Sequence, residues 1–334
     1  MKSKIFLGFA FLLIVVYFAG PNPETPNYNI SLPNVPSKAG ELESYVNQIE
    51  SRHNLKPGNE AKIVWFNDSA KTKTEYVLVY LHGFSASHHE GYPLHTTLAE
   101  QFGCNLYLAR LNDHGIDTTE ALLNFTAEEF YKNAAEALAI GSKLGNKVIL
   151  IGTSTGCTAA LKLAAEFPEV HAVINLSPNI RINDGTAFLL NNPWGLQIAN
   201  LVLGDQYRYV DGGPEYAKYW NTKYRNEAIV ELQELIETTM IPETFEKIKQ
   251  PVFNGFYYKN EEEQDNVVKV ESIKWMHDLL ATPENQKVLQ AFPNAGNHVL
   301  ASPVKSHDVE GVTTAVADFL SNVLQLPPAG NAQN

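Results

Sequence analysis

Ser154 stands between two glycines in Gly152-Thr153-Ser154-Thr155-Gly156, and the aliphatic run Val148-Ile149-Leu150-Ile151 leads into it. Residues 157–167 follow, rich in alanine and leucine, and read as a helix. A strand that turns at once into a helix has almost no room for side chains beside the turn. Glycine two before and two after the apex is therefore a steric requirement, and the apical hydroxyl is pushed out over the end of a sheet. A serine hydroxyl is a poor nucleophile at neutral pH. To attack a carbonyl it needs a histidine to take its proton and a carboxylate to hold that histidine in one tautomer.

His298 is the expected base, because Asn294-Ala295-Gly296-Asn297-His298 is a glycine-bearing loop directly after the last expected strand. His82, before Gly83 at a strand end, and His114, in Asn112-Asp113-His114-Gly115, are expected to brace loops through hydrogen bonds. The adjacent His88-His89 and nearby His95 lack a carboxylate pattern that would complete a metal site, and the chemistry calls for no metal and no organic cofactor. Two N–H donors must face the developing oxyanion. That of Thr155 opens the helix after the serine, and that of Phe84 lies in the loop after His82-Gly83.

These groups require elements to carry them. Strands are expected over 61–66, 75–81, 105–111, 147–152, 170–176, 251–258 and 287–292, the first two joined by a hairpin-like connection. Helices are expected over 92–102, 126–145, 267–280 and 307–324, with another on Leu42, Tyr45, Val46 and Ile49. Thr126 and Glu129 form a capping box. Such alternation means a mostly parallel sheet with helices on both faces. The alternation breaks over 179–250, a stretch of helix and loop with many aromatics and no convincing strand, read as an inserted helical cap.

Residues 1–20 begin with Lys2 and Lys4 and continue as an apolar run over 5–19. This is an export signal or a signal anchor, and with the lysines before the run the body of the protein is expected outside the cytoplasm. An uncleaved anchor, with the N-terminal segment in the membrane, is preferred because bulky Tyr17 is unfavourable for cleavage after Ala19; otherwise the protein is secreted or periplasmic. Five prolines over 21–37 read as a stiff linker, leaving 38–334 as the globular domain. A formal net charge of −12 repels nucleic acid and anionic membrane surfaces alike. Cys104 and Cys157 have no metal-ligand spacing, and Cys157 is expected to pack under the turn.

Over residues 62–324 the chain resembles the α/β-hydrolase fold serine hydrolases, in the branch of monoglyceride lipases, lysophospholipases and serine aminopeptidase-like proteins. The resemblance rests on His82-Gly83-Phe84, Asp113-His114-Gly115, the serine turn, the cap between Ser177 and Pro251, an acidic residue two before Val267-Val268, and the terminal histidine loop. It implies the chain order serine, acid, histidine. Glu261-Glu262-Glu263 lengthen the loop beyond the family's usual one, but adjacent like charges read as a solvated face. Asp265, next to the expected helix at Val267-Val268, is the favoured acid, and the glutamates remain the alternative. The implied activity is hydrolysis of a small-molecule carboxylic ester, with the cap aromatics forming a largely apolar acyl pocket. A serine aminopeptidase-like hydrolase, gripping an ammonium with Asp205, Asp211 or Glu215, is one alternative; a non-catalytic ligand-binding protein on the same fold is another.

Overall fold

The computed structural model describes residues 2–330; Met1 and residues 331–334, included in the expectations for the two ends, lie outside the described residues. In chain order the strands are β1 (Lys62–Val64), β2 (Thr74–Leu81), β3 (Asn105–Leu108), β4 (Gly145–Thr153), β5 (Val170–Leu176), β6 (Tyr207–Tyr209), β7 (Lys223–Arg225), β8 (Val252–Phe256) and β9 (Lys287–Ala291). The helices are α1 (Lys2–Phe18), α2 (Ala39–Glu50), α3 (Leu94–Phe102), α4 (Ala127–Leu144), α5 (Thr155–Glu166), α6 (Gly195–Leu203), α7 (Gly213–Tyr219), α8 (Glu227–Thr239), α9 (Pro242–Phe245), α10 (Val270–Leu279) and α11 (Val309–Asp318).

Seven strands make one sheet in the order β1-β3-β2-β4-β5-β8-β9, and only β1 is antiparallel to its neighbour. The strands are apolar on both sides because both sides are covered. Val77, Val79, Leu81, Val148 and Leu150 face the core that includes α4 and α5; Leu78, Tyr80, Ile149 and Ile151 alternate with them and face the core that includes α3 and α11. Register aligns the carboxyl ends: Leu81 lies opposite Gly152, Thr153 opposite Leu176, and Leu176 opposite Gly255. The loops after β2, β4, β5 and β8 therefore meet at one edge, where ligands of such sheets bind.

Several elements depart from the sequence expectation. β1 and β2 are not a hairpin, because β3 inserts between them. The stretch between β5 and β8 holds an antiparallel ribbon, β6 with β7, that its polar and aromatic composition concealed. Val267 and Val268 precede α10 instead of opening it, and Val268 bridges back to Ile182. Thr126 Oγ1 accepts from Glu129 N as expected, but the Thr126 N–H is taken by Asn112 Oδ1, so half of the capping box is supplied by another loop. The proline-rich stretch is extended yet bound: Tyr28, Ile30 and Leu32 pack on the core and Val35 is buried. α1, 17 residues long, spans about 25 Å at 1.5 Å per residue. Among the described residues no helix is long and apolar enough to cross a membrane.

Candidate active site

The turn after β4 is as tight as its glycines imply. A Cβ on Gly156 would lie 1.9 Å from Leu81 O, and one on Gly152 would lie 2.6 Å from Cys157 N. Both obstacles are backbone. Ser154 itself has φ 53° and ψ −116°, a strained conformation for a residue with a side chain, held by Ser154 N donating to Leu176 O and by Ser154 O accepting from Cys157 N and Asn179 N. Cys157 is buried beneath the turn, and burial pushes its thiol well above the usual range, so it is a packing residue.

Asp265 and His298 are brought together. His298 Nδ1 donates to Asp265 Oδ2 at 2.6 Å, which leaves Nε2 to accept a proton. The other carboxylate oxygen, Oδ1, accepts from Val267 N at 2.8 Å and Val268 N at 3.1 Å, so the acid is fixed by backbone just after it. Burial opposes the ionisation of Asp265, but the charge and hydrogen bond of His298 and the two N–H groups outweigh it and hold the carboxyl below its usual range. Burial likewise disfavours the imidazolium of His298, while the charge and hydrogen bond of Asp265, with the charge of Glu90, outweigh burial and raise it above the ordinary value. Ser177 ties this loop to the serine turn: its Oγ donates to His298 O at 2.6 Å, and its neighbour Leu176 accepts from Ser154 N. Among the described residues no hydrogen bond joins Ser154 Oγ to His298 Nε2, a bond that often tightens only when substrate binds.

Glu261, Glu262 and Glu263 are exposed; Glu263 pairs with Lys259, and Glu261 accepts from Tyr258 OH. The structure thus brings Asp265, and none of the three glutamates, to His298. Thr155 opens α5, and Phe84 lies in the loop after β2; among the described residues nothing accepts from the N–H of either. His82 and His114 brace this loop. His82 Nδ1 donates to Gly83 O while its Nε2 accepts from Leu111 N, and His114 Nε2 accepts from Ser85 N at 2.9 Å. Burial keeps both rings neutral, His114 down at about 4.

The aromatics between β5 and β8 pack on each other and on the site loops. Tyr216 and Trp220 stack at 4.6 Å and bury Ala86 and Val299 with them, and Asn221 N donates to Ser85 O at 2.7 Å. Ser154 and His298 are only 7% and 8% exposed beneath this cover. One cavity of about 440 Å³ is lined by residues such as Glu50, Arg110, Asp113 and Glu136, a second of about 190 Å³ by residues such as Arg181 and Trp275, and neither reaches Ser154 or His298. The aromatics expected to form an acyl pocket thus pack on one another in this structure. Asp211 and Glu215 are exposed and Asp205 is half-buried, Asp205 accepting from Tyr209 OH and Glu215 paired with Lys218. Among the described residues no three His, Cys, Asp or Glu side chains are grouped to hold a metal, and both cysteines are free. Sequence reasoning passed over Glu90, which is buried against Gly83; its signal was a carboxylate seven residues past the glycine of the oxyanion loop.

No family model matches the chain, and no curated protein matches it by sequence. Solved structures do match it. A metagenome-derived lipolytic enzyme has a TM-score of 0.62 and 17% identity, covering 80% of this chain and 98% of its own. Est1E from Butyrivibrio proteoclasticus, with ferulic acid bound, gives 0.54 and 17% over 80% and 95%. A lipase-esterase related protein from Clostridium acetobutylicum gives 0.52 and 18% over 78% and 98%. At these identities the likeness speaks for architecture, and with the sheet order and the turn at Ser154 it leads to one conclusion: the chain has the α/β-hydrolase fold.

Proposed function

We propose that the chain is a serine hydrolase that cleaves small-molecule carboxylic esters through an acyl-enzyme on Ser154. The observation that carries the reading is the buried Asp265–His298 pair beside a strained serine turn. His298 Nε2 takes the Ser154 proton as Oγ attacks the carbonyl, and the imidazolium so formed is stabilised by Asp265. The N–H groups of Phe84 and Thr155 face the oxygen that becomes negative. His298 then protonates the leaving alcohol, and water repeats the sequence to release the acid. The similar structures belong to a lipolytic enzyme and a lipase-esterase related protein, which supports an ester over an amide.

The stretch over 179–250 acts as a cap. With Trp220 only 3% exposed and Ser154 nearly enclosed, substrate enters by movement of the Tyr216–Trp220 stack away from the oxyanion loop. An apolar acyl group then replaces the aromatic contacts that the stack gives up. Turnover of an ester series from acetyl to decanoyl tests this reading: Ser154→Ala abolishes hydrolysis, and Trp220→Ala changes the chain-length preference. Equal turnover in the Ser154→Ala protein would overturn the mechanism. For the aminopeptidase reading, the three cap carboxylates offer nothing aimed at the site, and a strained serine turn argues against an idle binding protein.

Residues 1–20 form the export segment in this proposal, which leaves the catalytic domain on the non-cytoplasmic side, anchored or released by cleavage. Cell fractionation separates these outcomes, and full-length protein in the soluble cytoplasmic fraction would refute both.

A further inference from the structure

Glu90 is a buried carboxyl, 3% exposed, and no salt bridge of the described residues includes it. Its Oε2 accepts from Gly83 N at 2.6 Å. A Cβ on Gly83 would lie 3.0 and 3.1 Å from the two carboxylate oxygens and 3.1 Å from Ser154 Cβ, so the glycine Cα is clasped between the carboxylate and the nucleophile. The N–H groups on either side of Phe84 are thereby both committed, that of Gly83 to Glu90 and that of Ser85 to His114. Phe84 N–H alone is left to donate inward. We propose that Glu90 is a positioning residue, whose carboxylate grips the Gly83 amide and so fixes the direction in which the Phe84 N–H points.

Such a charge is retained in the interior at a cost. Burial pushes Glu90 up to about 7, against the Gly83 N–H, the charge of His298 and the Trp220 indole, which favour the ionised form. A raised carboxyl contributes its stability below the ordinary carboxylate range and loses it as pH rises through about 7, so the ionised group weakens the fold at pH 8. Groups that give up stability in this way cluster at functional sites. Around Glu90 stand Tyr80 of β2, Cys157 of α5 and Tyr216 of α7, none of them cationic, and His298 from the terminal loop. His298 is therefore the titrating partner that feels its charge.

Two variants divide the roles. Glu90→Gln keeps an acceptor for Gly83 and removes the charge: it retains kcat within about threefold, has a thermal midpoint at pH 8 no lower than the parent, and moves the acid limb of the kcat/KM profile to lower pH. Glu90→Asp keeps the charge but falls one methylene short: kcat on a p-nitrophenyl ester drops about tenfold with KM nearly unchanged, less than the ~10² of a lost oxyanion donor. Wild-type kcat in Glu90→Asp overturns the positioning role, and an unmoved acid limb in Glu90→Gln overturns the charge coupling to His298. The kinetic arm rests on the hydrolase reading above, so a second readout stands apart from it. Amide exchange in the peptide covering residues 82–87 speeds up in Glu90→Asp. If it does so in a protein that hydrolyses no ester, the positioning role stands and the hydrolase reading falls; unchanged exchange removes the positioning role whatever the activity.

Discussion

At the end of β4 the turn around Ser154 is held by backbone against backbone: Gly156 sits where any Cβ would strike Leu81 O. Past the end of β8 the loop carrying Asp265 is held by hydrogen bonds from Val267, Val268 and His298, and its partner His298 is placed by charge. One half of the site is set by sterics and the other by protonation. The first is insensitive to pH and intolerant of a methyl group; the second tolerates isosteric change in shape but not in charge.

The largest effect on stability is expected at the steric half. Gly156→Ala is predicted to destabilise the fold by about 3 kcal/mol or more, because the obstructing atoms are the carbonyls of Leu81 and His82 and cannot swing away. Thermal unfolding measures this, and a midpoint within a degree or two of the parent would show that the turn can relax. Next is Asp265→Asn, which keeps the shape of the acid and is expected to lower kcat by about 10³ to 10⁴ while the protein stays folded.

The protonation half also has a pH signature. Asp265 is depressed from 3.8, so its contribution to stability is present above that value and lost as pH falls through the folded pKa. His298 is raised from 6.5, so its contribution is complete below 6.5 and lost as pH rises through the folded pKa. In the proposed mechanism His298 works as a base only when neutral. Activity should therefore climb through a midpoint above 6.5 as this part of the stability fades, and in Asp265→Asn the midpoint should move to lower pH; a midpoint below 6.5 in the parent would contradict the assigned electrostatics. The smallest effect is expected just outside the pair. Glu262→Gln, exposed in the loop before Asp265, should change stability by less than about 0.5 kcal/mol and leave kcat unaltered. A loss of turnover there would move the acid into the glutamate run.

The steric half was legible in the sequence because glycine at positions 152 and 156 has a single local cause, visible within five residues. Asp265 was legible by position, although Val267-Val268 do not start a helix; their N–H groups hold the acid instead, a role that hydrophobic periodicity cannot signal. β1 beside β3 depends on long-range pairing of three- and four-residue strands, too short for alternation to assign a neighbour. The β6–β7 ribbon was hidden by the shortness of its strands as well as by their polar and aromatic composition, and the cover over the site arises from Tyr216 and Trp220 meeting Val299, which is far from them in sequence. Glu90 follows two histidines just before the helix expected over 92–102, and only the fold turns it inward against Gly83.

The most direct measurement is reaction of the intact protein with a fluorophosphonate, followed by mass spectrometry of its peptides. One adduct is expected, on the peptide that carries Ser154, and none in Ser154→Ala. Labelling that persists in that variant, an adduct on Ser85 or Ser87 instead, or a folded parent that takes no label would contradict a nucleophile at the turn after β4.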